Sequence, residues 1–272
     1  MAGTVSKKRG GGKGAKPRKA RKTANARPAP KKSGARPARK KAAARSALKQ
    51  AEARRYHPGR PIDCEAALEE ASARLLALDP EVVGRLIAVG GPPPLRWREP
   101  GFAGLAAIIV SQQVSVASAN AIYGRLAEAL APLGAANLAA ADDAALKRCG
   151  LSQAKIVALR ALAESIAAGL DLAALAALEA EAAHEALIAV KGIGPWTADL
   201  YLLFSLGHPD AFPAGDLALQ EATRIALGLA ERPDARGLEA IAERWRPYRG
   251  VAARMLWAYY RGVKQREGLI GR

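Results

Sequence analysis

The chain has 272 residues, half of them hydrophobic, which is enough for one globular domain with a sizeable core or two small ones. No apolar run approaches the roughly 18 residues of a membrane helix, and the polar N-terminus lacks the apolar core of a signal peptide, so we expect a cytoplasmic protein. The two cysteines, Cys64 and Cys149, are too few for a disulfide framework, a four-cysteine zinc site or an iron–sulfur cluster.

The net charge of +17 is concentrated at the N-terminus. Residues 1–60 contain 21 of the 42 lysines and arginines but only one of the 25 acidic residues, which leaves residues 61–272 with 21 basic and 24 acidic residues and a net charge of −3. No aromatic residue precedes Tyr56, so this segment cannot bury enough apolar surface to offset the entropy of ordering. We expect residues 1–60 to be a disordered polycation that neutralises phosphates, with a solubilising extension or an anchor to an anionic surface as the alternative.

The rest of the chain, residues 61–272, predicts an all-α domain. Apolar residues recur at spacings of three and four, Gly or Pro interrupts them at intervals of roughly ten to twenty residues, and no run of alternating β-branched residues occurs. Helices are expected near residues 63–78, 80–89, 101–113, 116–132, 153–168, 179–189, 196–206, 216–227, 237–245 and 250–266.

The stretch 187–198 predicts a tight turn between two helices. An apolar helix ends before Lys191, Gly192 and Gly194 flank one apolar residue, and Pro195 opens the next helix, where its missing N–H costs nothing. Backbone N–H groups at such a helix start suit a phosphate oxygen, with Lys191 beside them. Taken alone, a Gly-x-Gly turn of this kind is just as often an ordinary helix connector.

A carboxylate follows the hairpin at the start of another helix. Asp216 comes after Gly215 and directly before a helical stretch, so its position alone indicates an N-cap whose carboxylate accepts backbone N–H bonds. The chain thus has a hairpin, then a helix, then a carboxylate that opens a further helix. This order is a more specific signal of function than either segment alone.

This order of motifs resembles the helix-hairpin-helix DNA glycosylase superfamily, and within it the 3-methyladenine DNA glycosylase II branch. The strongest motif is Val190 to Ala198 followed by Asp216, and the segments 108–115, 151–155 and 243–249 are also similar to stretches of the family. The resemblance covers residues 62–268 and looks like the shorter bacterial form, in which the basic tail stands in place of a β-rich domain. It implies two helical subdomains flanking a cleft, one of residues 104–210 with the hairpin and one of residues 61–103 plus 211–272.

The resemblance implies a DNA repair hydrolase that flips an alkylated purine out of duplex DNA and cleaves its N-glycosidic bond. Asp216 matches the catalytic aspartate, whose charge would stabilise an oxocarbenium-like sugar and orient the attacking water. Superfamily members that also cleave the backbone carry a lysine where this chain has Trp196, so a monofunctional enzyme that leaves an abasic site is expected. We expect no cofactor, a monomer associated with the nucleoid, and a partner that is double-stranded DNA with bases such as 3-methyladenine or 7-methylguanine.

The candidate base pocket consists of Trp257, Trp196, Gln112 and Tyr201. Trp257 matches the family position that stacks on the flipped base, and it lies off the apolar stripe of the last helix with Arg254 and Arg261 at one-turn spacing. An indole facing a cationic base gains roughly 0.5 to 2 kcal/mol of cation–π energy. Other roles stay open: Trp196 as a core residue, Trp257 as an exposed one, and Gln112 as a partner of backbone groups near a helix end.

The candidate DNA contacts lie at two places. Gln113 matches the position at which the type member of the family inserts a leucine wedge, and the glutamine departs from that residue; bonding backbone groups is its alternative role. Phosphate binding is assigned to Lys191, Gly192, Ile193, Gly194 and Thr197. Carbonyls of the hairpin are candidate ligands for a monovalent cation, as in related proteins, whereas His57, His184 and His208 have no metal-ligand spacing and are expected at the surface.

Two other functions remain open from the sequence. One is a glycosylase for deaminated or oxidised purines. The other is a non-enzymatic DNA-binding or compacting protein, in which the tail acts and the helical domain is an anchor. The coincidence of the Asp216 and Trp257 matches favours an enzyme.

Overall fold

The computed structural model describes residues 60–270, with side chains to residue 266. This part of the chain forms twelve α-helices and two short 3-10 helices, and no strand occurs within it. The predicted tail, apart from Arg60, and His57 lie outside the described residues. The α-helices are α1 Glu65–Leu78, α2 Pro80–Gly90, α3 Gly101–Ser111, α4 Val116–Ala129, α5 Ala135–Ala140, α6 Asp143–Arg148, α7 Gln153–Ala167, α8 Ala180–Ile188, α9 Pro195–Phe204, α10 Leu217–Leu227, α11 Ala235–Ala242 and α12 Arg249–Ile270.

The all-α prediction is confirmed, and each of the predicted helices is present with its ends shifted by a few residues. Helices α5 and α6, which have six residues each, were not predicted. Helices this short span less than two turns and show too few residues for a 3.6-residue period to stand out. No helix in the range 60–270 is both long enough and apolar enough to cross a membrane.

Side-chain caps fix where many of the helices begin. In each case a short polar side chain accepts a hydrogen bond from a backbone N–H in the first turn, which the helix itself cannot satisfy. These caps are Asp79 on α2, Ser115 on α4, Asp142 on α6, Ser152 on α7, Asp216 on α10 and Asp234 on α11. The start of α10 is therefore set by the same local chemistry as several other helices.

Buried side chains form two hydrophobic clusters. The first lies within residues 102–211 and is built largely from α3, α7, α8 and α9. The second combines residues 62–86 with residues 203–259, so it joins α1 and α2 to α10 and α12. The long helix α12 approaches α2 closely, because a Cβ at Gly90 would lie 2.5 Å from the backbone nitrogen of Tyr259.

Helix α9 contributes to both clusters. Ala198, Tyr201 and Leu202 belong to the first, and Leu203 and Phe204 belong to the second. The two buried clusters therefore meet along α9. This places the hairpin at the N-terminal end of a helix whose other end is embedded in the second core.

Candidate active site

Asp216 is the N-cap residue of α10. Its Oδ1 accepts hydrogen bonds from the backbone N–H groups of Ala218, at 3.0 Å, and Leu219, at 3.1 Å. The side chain is only partly buried, so solvent can reach it. The cap fixes the orientation of the carboxylate while Oδ2 makes no backbone contact within this cap.

Two tryptophans that are distant in sequence donate to the same carboxylate. Trp196 Nε1 lies 3.0 Å from Oδ2 of Asp216, and Trp257 Nε1 lies 3.1 Å from Oδ1. A carboxylate oxygen has two lone pairs, so Oδ2 keeps a position for a water molecule or a substrate group. Trp196 is 38% exposed, which contradicts its alternative role as a core residue. The structure thus brings together three of the predicted site residues around one partly exposed carboxylate.

The ring of Trp257 is supported from behind by Phe204. The two rings stack with centroids 5.6 Å apart and planes inclined by 26°. Since Phe204 covers one face of the indole, a planar ligand can stack only on the other face. Phe204 carries no signal in the sequence, because it ends a run of apolar residues and is buried like its neighbours.

Arg254 lies behind this aromatic pair and is buried, with 2% of its surface exposed. Its guanidinium lies 4.7 Å from the Phe204 ring centroid and donates to the carbonyl oxygens of Leu203, at 2.7 Å, and Leu95. Burial lowers the pKa of Arg254 to about 10. Arg254 was expected on a face of α12 turned away from the core, and this prediction is wrong: the side chain is buried, and carbonyls of other elements satisfy the guanidinium.

The hairpin between α8 and α9 turns at Gly192. This residue has φ +88°, and a Cβ on it would lie 2.6 Å from the Cβ of Ala158 on α7, so both conformation and space require glycine. The Ile193 N–H closes the turn onto the Val190 carbonyl at 3.0 Å. The turn is therefore rigid and held close to α7.

The hairpin exposes its polar elements and buries its apolar side chains. Lys191 is exposed, while the side chain of Ile193 is buried and anchors the turn. Gly194 is the N-cap of α9 and Pro195 its first residue, so the next N–H groups have no acceptor within the helix. This arrangement presents backbone donors and one positive charge to solvent.

Gln112 joins the end of α3 to the start of α9. Its Nε2 donates to Oγ1 of Thr197 at 2.6 Å. The side chain of Thr197 is buried, with 2% of the residue exposed, so only its backbone N–H remains for the predicted phosphate contact. The next residue, Gln113, is exposed with φ +54°, a left-handed conformation uncommon outside glycine.

Tyr201 takes no part in this arrangement. It is fully buried in the first cluster, and its hydroxyl accepts a hydrogen bond from the Gly101 N–H at 2.9 Å. Burial raises the pKa of Tyr201 to about 12. The structure therefore places Tyr201 in the core, where its hydroxyl fixes the start of α3, and not on a wall facing Asp216.

The histidines differ from the expectation of surface residues. His208 is buried and its Nε2 lies 3.1 Å from the Leu178 carbonyl oxygen. His184 of α8 pairs through Nδ1 with Asp199 of α9 at 2.7 Å, and this hydrogen bond raises the pKa of His184. The pair links the two helices of the hairpin. No group of three or more His, Cys, Asp or Glu that could hold a metal ion occurs in the described part of the chain.

A cavity of about 640 Å³ adjoins the start of α9 and the segment before Asp216. Most of its charged lining is acidic: Glu181, Glu185, Asp199, Asp210, Glu239 and Glu243. Arg246 and Arg249 also line it, and both are paired with these carboxylates. A cavity with this charge repels phosphates, so it does not suit the phosphate-binding role predicted for the hairpin.

An all-helical fold with a glycine-bracketed hairpin, followed by a carboxylate at a helix start, defines the helix-hairpin-helix class of proteins. The family model described as HhH-GPD superfamily base excision DNA repair protein matches residues 106–247. The chain belongs to this superfamily.

Similar proteins include a Mycobacterium tuberculosis protein named "probable bifunctional transcriptional activator/DNA repair enzyme AlkA", which is 36% identical over 205 residues, 69% of this chain. The match covers only 39% of that relative's length. The fold is similar to that of a DNA-3-methyladenine glycosidase from Bacillus halodurans, with TM-score 0.65 and 32% identity over 74% of this chain and 96% of the other. It is also similar to Schizosaccharomyces pombe 3-methyladenine DNA glycosylase (Mag1) in complex with abasic DNA, with TM-score 0.57 and 29% identity over 69% and 95% of the two chains.

Proposed function

We propose that this protein is a monofunctional DNA glycosylase that hydrolyses the N-glycosidic bond of alkylated purines in duplex DNA. The observation that carries the proposal is the convergence of two indole N–H groups on the partly exposed carboxylate of Asp216. Relatives named as 3-methyladenine DNA glycosylases, one of them solved in complex with abasic DNA, support both the reaction and the DNA partner.

In the proposed reaction Asp216 acts on the deoxyribose of a flipped nucleotide. The bond from C1′ to the base nitrogen breaks, its electron pair leaves with the base, and positive charge develops on the sugar. The carboxylate stabilises that charge, orients the water that forms the new C1′–O bond and accepts the proton that this water loses. A purine alkylated on a ring nitrogen is already cationic, so departure of the base neutralises it and needs little proton donation.

The flipped base is proposed to stack on the open face of Trp257. Phe204 holds the indole in place from the other side, and the indole N–H bonded to Asp216 puts the stacked base next to the carboxylate. Attraction between an electron-rich ring and a cationic base favours alkylated over normal purines by roughly 0.5 to 2 kcal/mol. The ring that binds the base is thereby hydrogen-bonded to the carboxylate that stabilises the charge on the sugar.

Trp196 supports hydrolysis without backbone cleavage. A lyase needs an amine that forms a Schiff base with the sugar, and an indole has none. In this structure the indole N–H of Trp196 is used to donate to Asp216. The proposed product is an abasic site in an intact strand.

The hairpin is proposed to bind phosphates next to the flipped nucleotide. Lys191 supplies charge, and the N–H groups of Gly192, Gly194, Trp196 and Thr197 supply donors at a helix start, whereas the Ile193 N–H is used within the turn. Carbonyl oxygens such as that of Val190 accept one hydrogen bond and keep a second lone pair, so they fit a monovalent cation that would add positive charge there. Gln113, exposed at the end of α3, is proposed to fill the space that the flipped base leaves.

A release assay over a panel of lesions tests the proposal. Purified protein should free 3-methyladenine and 7-methylguanine from methylated duplex DNA, and strands should break only after alkali treatment. Release of hypoxanthine or 8-oxoguanine instead would point to deaminated or oxidised purines. Binding without release of any base would leave a DNA-binding protein.

The basic tail is proposed to add loose, salt-dependent affinity. Deleting residues 1–55 removes many of the positive charges of the chain and should weaken DNA binding and flatten its salt dependence, while base release continues. Equal binding of the full and shortened chains at low salt would contradict this role.

A further inference from the structure

The loop between α2 and α3 carries an exposed tryptophan between two exposed arginines. Arg96, Trp97 and Arg98 are all exposed, Trp97 by 41%. The Arg98 N–H donates to the carbonyl oxygen of Phe204 at 2.9 Å, and the Leu95 carbonyl accepts from a guanidinium of α12. We call residues 95–98 the arginine loop. Its backbone is fixed to the end of α9 and to α12, so its side chains are presented from a rigid base.

Arginines accumulate where this loop meets α12. Arg96, Arg254 and Arg261 line one narrow crevice together with Trp257. Burial, followed by the positive charges of Arg261 and Arg98, lowers the pKa of Arg96. The cluster therefore holds several like charges close together beside the ring on which the base is proposed to stack.

The exposed charges of this cluster have no carboxylate partners among the residues that the structure describes. Arg74 pairs with Glu70 elsewhere on the surface, whereas Arg96, Arg98 and Arg261 form no such ion pair with any described residue. Residues 61–272 carry a net charge of −3, so an unpaired arginine cluster is a local exception. Like charges held together repel one another, and an anion that binds between them relieves this repulsion.

The arginine loop and the hairpin lie at opposite ends of α9. This helix has ten residues and is therefore about 15 Å long. Asp216 contacts Trp196 near its first residue, and Trp257 stacks on Phe204 at its last, so the candidate active site spans the distance between them. Phosphates on one DNA strand are separated by more than the axial rise of about 3.4 Å per nucleotide, because the strand also winds around the axis, so the two ends can reach phosphates a few nucleotides apart.

We propose that the arginine loop and Arg261 form a second DNA backbone site, which holds the strand on the side of the flipped nucleotide opposite to the hairpin. This inference rests on the proposed function for its partner, DNA. Guanidinium groups of Arg96, Arg98 and Arg261 bind phosphate oxygens through paired N–H donors, and Trp97 offers an apolar surface to a neighbouring sugar or base. The strand is then held at two points, with the nucleotide between them free to leave the stack.

The test measures binding of the full chain to a duplex with a stable abasic-site analogue as a function of salt. Each lost phosphate contact should weaken binding about eightfold at 0.1 M salt and reduce the slope of log affinity against log salt by about 0.9. The variants are Arg261→Ala, Arg98→Ala and Arg96→Asn; asparagine tolerates the left-handed φ of +50° at residue 96. Arg261→Lys should keep most of the slope, and Arg74→Ala, which removes a paired charge, should change neither quantity.

Replacing single phosphates of the DNA by neutral analogues shows which phosphates the protein contacts. A methylphosphonate placed singly along the lesion strand should weaken binding of the unmodified protein at two separate positions, one on each side of the flipped nucleotide. Arg261→Ala should abolish the effect at one position, and Lys191→Ala at the other. If Lys191→Ala weakens binding while the three arginine variants bind as tightly and as salt-sensitively as the unmodified chain, the second site is wrong and the proposed function stands. If no variant changes binding and no methylpurine is released, the proposed function fails as well.

Discussion

Replacing Asp216 with asparagine tests the central charge while preserving its shape. The asparagine oxygen can still accept from Ala218 and Leu219, and asparagine is among the best N-cap residues, so α10 should keep its start. The amide nitrogen would face the N–H of Trp196, which costs that hydrogen bond. The substitution therefore removes the negative charge with little change in folding.

The expected loss of rate depends on the distance between the carboxylate and the positive charge on the sugar, and on how far Asp216 is exposed to solvent. A carboxylate about 4 Å from a unit positive charge is stabilising by about 4 kcal/mol at an effective dielectric constant near 20, and by about 1 kcal/mol in bulk water. Asp216 is partly buried, so we take an intermediate value of about 3 kcal/mol, which corresponds to a rate about 100-fold slower.

The assay is single-turnover release of methylpurine from methylated duplex DNA, with binding measured in parallel. Asp234→Asn is the matched control, because Asp234 caps α11 through the same kind of bond, to the Gly237 N–H, and is not bonded to a tryptophan. Asp216→Asn should bind DNA like the unmodified protein and Asp234→Asn should release base at the unmodified rate. A rate for Asp216→Asn within about threefold of the unmodified protein, less than 1 kcal/mol of barrier, would refute the role of the charge.

Three further results are expected. Trp196→Phe keeps an aromatic ring but removes the donor to Asp216, and loss of one hydrogen bond to a charged group, about 1.5 kcal/mol, should slow release about tenfold without introducing strand cleavage. An unchanged rate would show that the bond from Trp196 to Asp216 is dispensable. Gly192→Ala should lower the free energy of unfolding by about 2 to 4 kcal/mol in urea titrations, because φ is +88° and the added Cβ meets α7 at 2.6 Å; a loss below about 0.5 kcal/mol would contradict this. The raised pKa of His184 means that its pairing with Asp199 contributes stability in full below about pH 6.5 while Asp199, whose pKa is raised by burial, stays ionised, and that this contribution is lost as the pH rises through the folded pKa of His184. An NMR titration should show the shift, and Asp199→Asn should return the pKa of His184 towards about 6.5; equal values in the two proteins would rule out the pair as the cause.

Much of the fold could be predicted because helix formation depends largely on residues that are close together in the sequence. The spacing of apolar residues, interrupted by Gly and Pro, located the main helices to within a few residues, and the position of Asp216 alone indicated a cap. The hairpin was equally local, since Gly192 and Pro195 each have a conformational reason to be where they are. The short helices α5 and α6 escaped because six residues do not show a period.

The surroundings of side chains were harder to predict. Arg254 looked exposed by its spacing on α12, yet carbonyls of Leu95 and Leu203 make its burial possible. Tyr201 was placed in the pocket, but its hydroxyl holds the N-terminus of α3 in the core. In both cases the hydrogen-bond partner that makes burial possible comes from an element distant in the chain, so no local sequence pattern predicts it.

The sequence by itself determined that Asp216 begins a helix after a glycine-bracketed hairpin, because a cap and a turn depend only on neighbouring residues. Only the tertiary structure decided that Trp196, 20 residues before it, and Trp257, 41 residues after it, both donate to its carboxylate. The packing of α9 between two cores brings these indoles together, and packing depends on the whole chain at once.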